Sequence, residues 1–206
     1  MGSRQPPRQG DLFAQGLGSA AGSGLDLPLQ EHQLRQWQQR LIDFQHPRFE
    51  AVAQGRDLAA GQIDLFNGAV LGPAATVQRL DPLALTPQHL QFWRWPEAQN
   101  SGAALYFVLD RPPHLNGTLL LYVGETGQAD RRWKGEHDCK SYLAAYGAAL
   151  QLVELGSQLS IRFWNDAPDA IRPRRALEQA LIRHWLPPFN KETRGRWATP
   201  FTAELD

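Results

Sequence analysis

LLLYVGETGQADRRWKGEH, Leu119 to His137, is the stretch from which the fold can be read. Leu119 to Val123 is an apolar run of strand formers. It stops at Gly124, and a second glycine follows at Gly127. Gln128 to Glu136 then predicts a short helix carrying Arg131 and Arg132. A buried strand therefore delivers Tyr122 to a glycine turn, and the helix beyond returns an arginine toward the same place. Upstream lies a second apolar run, AALYFVL (Ala103 to Leu109), which carries Tyr106. Pro112 and Pro113 cannot continue a central strand. Asp110 to Thr118 is therefore expected as a hairpin loop that sets Tyr106 beside Tyr122 on two antiparallel strands.

Downstream, RRALEQALIRHWL (Arg174 to Leu186) repeats Ala176, Leu177, Ala180, Leu181, His184 and Trp185 at helical spacing. Glu178 falls between the two apolar ridges, where a carboxylate can face a cleft. Pro187 and Pro188 end that helix, and Phe189 and Asn190 follow. Taken in order, these residues resemble the GIY-YIG nuclease family over about Ala103 to Lys191. Ala104-Leu105-Tyr106 stands in the GIY position and Tyr122-Val123-Gly124 in the YIG position. Arg132, eight residues after Gly124, stands where the family has its helix arginine. Glu178 and Asn190 match its metal-binding glutamate and late asparagine. Three departures are visible. Ala104 replaces the first glycine, the loop between the tyrosines is longer than usual, and His137 lies one position beyond the expected site at Glu136.

The resemblance implies phosphodiester hydrolysis with one Mg²⁺ or Mn²⁺. Mg²⁺ takes oxygen ligands and keeps most of its waters, so a single carboxylate, Glu178, can suffice. Tyr106 is then the general base and Tyr122 orients water or a phosphate oxygen. A free phenol has a pKa near 10, so Tyr106 needs help from the metal, Arg132 or a histidine. Arg132 clamps the scissile phosphate bidentately, His137 relays the proton and Asn190 orients the metal-proximal end of the site. Gly124 allows close backbone approach. Arg131, Lys134, Arg174, Arg175 and Lys191 are the candidate DNA contacts. Taken singly, each tyrosine suits core packing and each arginine a solvated surface.

The 206 residues hold 21 Lys+Arg and 21 Asp+Glu, so the net charge is zero. A nucleic-acid protein more often carries a basic excess, so any DNA-binding face must be local. Arg172, Arg174 and Arg175 form one cluster, and Lys191, Arg194 and Arg196 another. The single cysteine, Cys139, excludes an intrachain disulfide and a multi-cysteine zinc site. No apolar leader or membrane-length run is present, which suggests a cytoplasmic, nucleoid-associated protein.

The rest of the chain organises around this unit. Residues 1–28, rich in Gly, Ser, Pro and Gln, are expected to be disordered. Residues 29–98 are expected as a helical and irregular extension, and 99–206 as the nuclease-like domain. Leu29 to Phe44 predicts a helix with Leu34, Trp37, Leu41 and Phe44 on one face, ended by Pro47; Arg48 to Val77 is then loop with a short helix. Thr86 and Pro87 predict a helix start, with Leu90, Phe92, Trp93 and Trp95 beyond. A helix over Asp138 to Leu155 capped by Gly156, a third strand over Gln158 to Trp164 and the Glu178 helix complete an α+β domain, a small antiparallel three-stranded sheet flanked by helices.

Two pentapeptides, QGDLF (Gln9 to Phe13) and QIDLF (Gln62 to Phe66), resemble the bacterial sliding-clamp-binding motif. In such a motif Leu12-Phe13 or Leu65-Phe66 fills an apolar pocket and Gln9 or Gln62 bonds its rim beside Asp11 or Asp64. Two copies gain avidity on a symmetric ring. The combined expectation is a structure-selective DNA endonuclease in repair or recombination, tethered to the clamp. The alternatives are a catalytically silent DNA-binding or clamp-adaptor protein, or a sequence-specific restriction or homing-type nuclease.

Overall fold

In a computed structural model, the structure describes residues 29–61, 72–91, 101–129, 131 and 138–201, the side chains of 56–61 and 138 excepted. Four helices, α1 (Glu31–Gly61), α2 (Pro73–Arg79), α3 (Asp138–Leu152) and α4 (Ile171–Trp185), surround three strands, β1 (Ala104–Asp110), β2 (Leu119–Thr126) and β3 (Ser160–Trp164). The strands form one antiparallel sheet in the order β2-β1-β3. This is the expected α+β fold.

β1 reads as an unbroken apolar run because it is central and covered on both faces. Ala104, Tyr106 and Val108 pack with Leu34, Trp37 and Leu41 of α1 and Tyr142 and Tyr146 of α3. Leu105, Phe107 and Leu109 pack with Val77 of α2 and Leu177, Leu181 and Trp185 of α4. The first core contains α1 and β1 together, so it is continuous across the boundary expected near residue 98. At its end β1 buries a charge. Asp110 accepts hydrogen bonds from the Tyr146 hydroxyl (2.7 Å) and Gln158 N–H (2.7 Å), and Gln38 Nε2 donates to that hydroxyl (2.6 Å).

Three local expectations are corrected. Pro47 does not end α1, which runs on to Gly61. An interior proline costs about 3 kcal/mol or more, but continuing the helix buries Phe49 and Val52, each contributing about 1.5–3 kcal/mol. Phe49 also packs on Trp185, ring centroids 4.4 Å apart. Thr86 caps no helix. Gln88 pairs with Ile161 on the outer edge of β3, N–H to O in both directions at 2.8 and 2.9 Å; a residue before proline avoids the helical region, and the open strand edge captures the extended chain. Finally, α3 ends at Leu152 rather than at Gly156. Leu155 N–H bonds to Leu150 O and Glu154 N–H to Gln151 O, with Glu154 left-handed at φ 56°. Those paired bonds close the helix in a Schellman turn, in which Glu154 takes the position that glycine usually fills.

Candidate active site

The site begins with an irregularity in β2. Opposite Val108 and Leu109 of β1 stand Tyr122 and Leu120, so Leu121 is an extra residue. Side chains alternate faces along a strand, and one added residue reverses the alternation beyond it. Leu121 and Tyr122 thus both meet the core beside Tyr106. Val123 is turned to the α4 face. Without the bulge Tyr122 would point away from Tyr106. With it the two rings lie 5.9 Å apart, 28° from parallel, and Phe163 of β3 flanks Tyr106 at 5.9 Å.

Gly124 is the cross-strand partner of Tyr106. A Cβ there would stand 2.3 Å from Tyr106 Cζ and 2.4 Å from its hydroxyl oxygen. The glycine is needed because the fully buried tyrosine ring lies across it.

Among the described residues no fourth strand pairs with the outer edge of β2, and side chains take its place. Gln45 of α1 accepts from Leu120 N–H (2.8 Å) and donates to Leu120 O (3.0 Å). Asn190 accepts from Val123 N–H (3.0 Å) and donates to Val123 O (2.8 Å). Glu178 Oε1 accepts from Glu125 N–H (2.9 Å). The two residues beside Gly124 are therefore held by the two predicted residues that come from the far end of the sequence. Asn190 gets there through a forced stop: Leu186 adopts a left-handed φ of 46° at the end of α4, and Pro187-Pro188 follow. The chain turns back, and Phe189 N–H bonds to Leu121 O (3.0 Å).

The electrostatics centre on two glutamates. Burial first, and the nearby Glu125 second, push the Glu178 carboxyl up to about 7; its bond from Glu125 N–H and the Arg175 charge pull the other way. The Glu125 carboxylate is held by Arg174 (2.7 Å) and Arg175 (3.3 Å). Glu178 is thus not the partner of the arginines one turn before it. Arg174, a candidate DNA contact by sequence, is buried and also donates to Pro168 O and Asp169 O, so its guanidinium is committed inside the fold. The Arg175 side chain is 65% exposed, and Arg131 and Lys191 lie at the surface.

Tyr106, Tyr122, Gly124, Glu178 and Asn190 are brought together on or beside one strand. Arg132, Lys134 and His137 lie outside the described residues, as do Gln9, Asp11, Leu12, Phe13, Gln62, Asp64, Leu65 and Phe66 of the two pentapeptides. Most of the short helix expected over Gln128 to Glu136 lies there too; Ala129 and Arg131 themselves are turn. Sequence reasoning missed Gln45, because the helix was cut at Phe44, and gave no role to Glu125. The one signal for Glu125 was its place directly after Tyr-Val-Gly.

Among the described residues no group of three or more His, Cys, Asp or Glu side chains converges to hold a metal ion. A Mg²⁺ ion that keeps most of its waters does not need one. Glu178 fits such a site: it is a half-buried carboxylate with one oxygen on a backbone N–H, and burial disfavours its charge until a cation arrives. Among the described residues no helix is long and apolar enough to cross a membrane.

No family model, no curated protein and no solved structure matches this chain.

Proposed function

We propose that the protein is a metal-dependent DNA endonuclease of the GIY-YIG type that selects branched, flap or nicked duplex. The observation that carries this reading is the convergence at Gly124. Tyr106 lies across it, Tyr122 stacks beside Tyr106, and Asn190 and Glu178 bond the backbone on either side. Core packing alone explains two tyrosines. It does not explain why a half-buried glutamate and a buried asparagine are directed to the same stretch of β2.

In this reading Glu178 would hold a Mg²⁺ or Mn²⁺ ion, which would supply Lewis acidity toward the phosphate and charge stabilisation for the leaving oxygen. The Tyr106 hydroxyl passes its own proton to His137 as its oxygen takes the proton of the attacking water. Tyr122, re-aimed by the bulge, orients that water or a phosphate oxygen. Asn190 fixes the strand at Val123 so that the tyrosines and Glu178 keep their relative positions, which matters because a misplacement of about 1 Å can cost 10²-fold in rate. Arg132 clamps the phosphate and His137 assists Tyr106. The two QxDLF-like segments tether the enzyme to the replication clamp.

The test is cleavage of labelled linear duplex, nicked duplex, flap, fork and four-way junction with Mg²⁺ or Mn²⁺, wild type beside Glu178→Ala. Cutting of branched forms, abolished in Glu178→Ala, supports the reading. Cutting that survives Glu178→Ala rejects the metal site at Glu178, and no cutting at all while binding persists rejects the nuclease reading in favour of a silent DNA-binding or adaptor protein. Clamp binding unchanged after Leu12→Ala, Phe13→Ala, Leu65→Ala and Phe66→Ala together would sink the tether.

A further inference from the structure

Near the C-terminal end of α4, past Glu178, two arginines stack on one aromatic ring and a third bonds the residue beside it. The Arg48 guanidinium lies 3.5 Å from the Phe44 ring centre and that of Arg196 5.7 Å from it. Trp197 meets the same Phe44 ring edge-on at 5.5 Å, and Arg40 donates to Trp197 O (3.4 Å). The three come from distant parts of the chain, two from α1 and one from the turn after Asn190. Among the described residues no carboxylate lies within ion-pair distance of any of them. The nearest acid on this stretch of α1, Asp43, is hydrogen-bonded by Gln39, and Glu50 faces His46.

In a protein of zero net charge, three neighbouring arginines that meet no carboxylate among the described residues concentrate positive potential there. The arrangement also opposes itself. Burial and the Arg196 charge hold the Arg48 guanidinium below its ordinary value, and burial first, then the Arg48 charge, lower the His184 pKa. Arg48 has a structural task that explains its own position: it donates to His184 O and Phe44 O, satisfying carbonyls near the end of α4 and in α1. No such task explains Arg196, which is exposed and makes no hydrogen bond with its side chain. Arg40 is exposed as well.

We propose that Arg48 and Arg196, held on Phe44, together with Arg40, held on the Trp197 carbonyl, form a second contact for the phosphate backbone of a nucleic acid, outside the cutting site. Planar guanidinium groups suit bidentate phosphate contacts, and stacking on an aromatic ring fixes their planes before the ligand arrives. The six steps of α4 from Glu178 to His184, whose carbonyl Arg48 meets, rise about 9 Å, so the patch lies about that far along the helix from Glu178. The proposal rests on the nucleic-acid reading above for the identity of the polyanion, and on nothing else in it.

The experiment measures binding of a short labelled duplex without divalent cation, from about 50 to about 200 mM salt. It compares wild type, Arg40→Gln/Arg196→Gln, Arg196→Gln alone and Arg111→Gln, an exposed arginine of the β1–β2 loop. The expected result is a slope of log affinity against log salt that is shallower by about two in the double variant, about one in Arg196→Gln and unchanged in Arg111→Gln. At low salt the double variant should bind roughly tenfold more weakly. Arg196→Gln removes no hydrogen bond, so it stays informative if the double variant folds poorly. An unchanged slope in Arg196→Gln, an equal loss in Arg111→Gln, or no duplex binding by wild type overturns the patch. If the slopes shift as expected while cleavage is absent, the patch stands and the nuclease reading alone fails.

Discussion

Replacing Gly124 by alanine separates a tertiary demand from a local preference. Gly124 sits in β2 without a positive φ, so an alanine there should by local rules stabilise the strand by about 0.5–1 kcal/mol. The structure predicts the opposite sign. The new Cβ would lie 2.3, 2.4 and 2.8 Å from Cζ, the hydroxyl oxygen and Cε1 of Tyr106, whereas unstrained carbon contacts lie at about 3.5–4.0 Å. The ring must retreat by about 1 Å. It is fully buried and packed between Tyr122 and Phe163, so overpacking should cost about 1–3 kcal/mol. Thermal and urea unfolding of wild type, Gly124→Ala, Tyr106→Ala and the double variant form the assay. Tyr106→Ala alone should lose about 3–5 kcal/mol. In its background Gly124→Ala should become neutral or stabilising, leaving a coupling of about 1–3 kcal/mol. If Gly124→Ala stabilises the wild type, or destabilises equally with and without the Tyr106 ring, the reasoning that places this ring over this glycine is refuted.

Asn190→Ala leaves Val123 N–H and C=O without partners at a buried strand edge and should cost about 2–3 kcal/mol; hydrogen exchange at Val123 should rise by more than exchange in β3, and equal rises would argue against a local role. Glu178, raised to about 7, contributes stability that is full below about 4.5 and is lost as pH climbs through about 7. Metal-free wild type should therefore lose melting temperature relative to Glu178→Gln across that window, and Mg²⁺ should raise the wild-type melting point at pH 8 but not at pH 5; parallel curves for the two proteins would rule this out. Tyr146→Phe strips the buried Asp110 and Gln38 of a partner and should cost about 2–4 kcal/mol. The Tyr146 hydrogen bond lowers an Asp110 pKa that burial raises, so its loss raises that pKa further and the stability gap to wild type should widen as pH increases. A gap that narrows with pH in equilibrium unfolding would contradict the burial of Asp110.

The sequence by itself determined the parts of this protein whose signals are local. The two apolar runs, the proline-marked loop between them, the alternation of Ser160 to Trp164 and the helical spacing around Glu178 each fix an element within a few residues. Their order brings Tyr106 opposite the Tyr122-Val123-Gly124 stretch before any packing is known. The tertiary structure decided what depends on a partner far away in the chain. Whether Pro47 ends α1 depended on the core that Phe49 and Val52 could enter, and Gln45 could reach Leu120 only because the helix goes on. Which way Tyr122 points depended on a bulge at Leu121, which is a property of pairing with β1 and leaves no mark in the periodicity of β2 alone. Whether Arg174 meets solvent or Glu125 depended on the same reversal, and so did the closeness of Glu125 to Glu178. The gathering of Arg40, Arg48 and Arg196 around Phe44 and Trp197 lay equally beyond any window of sequence, since about 150 residues separate its members and only the closing of the core against α4 sets them side by side.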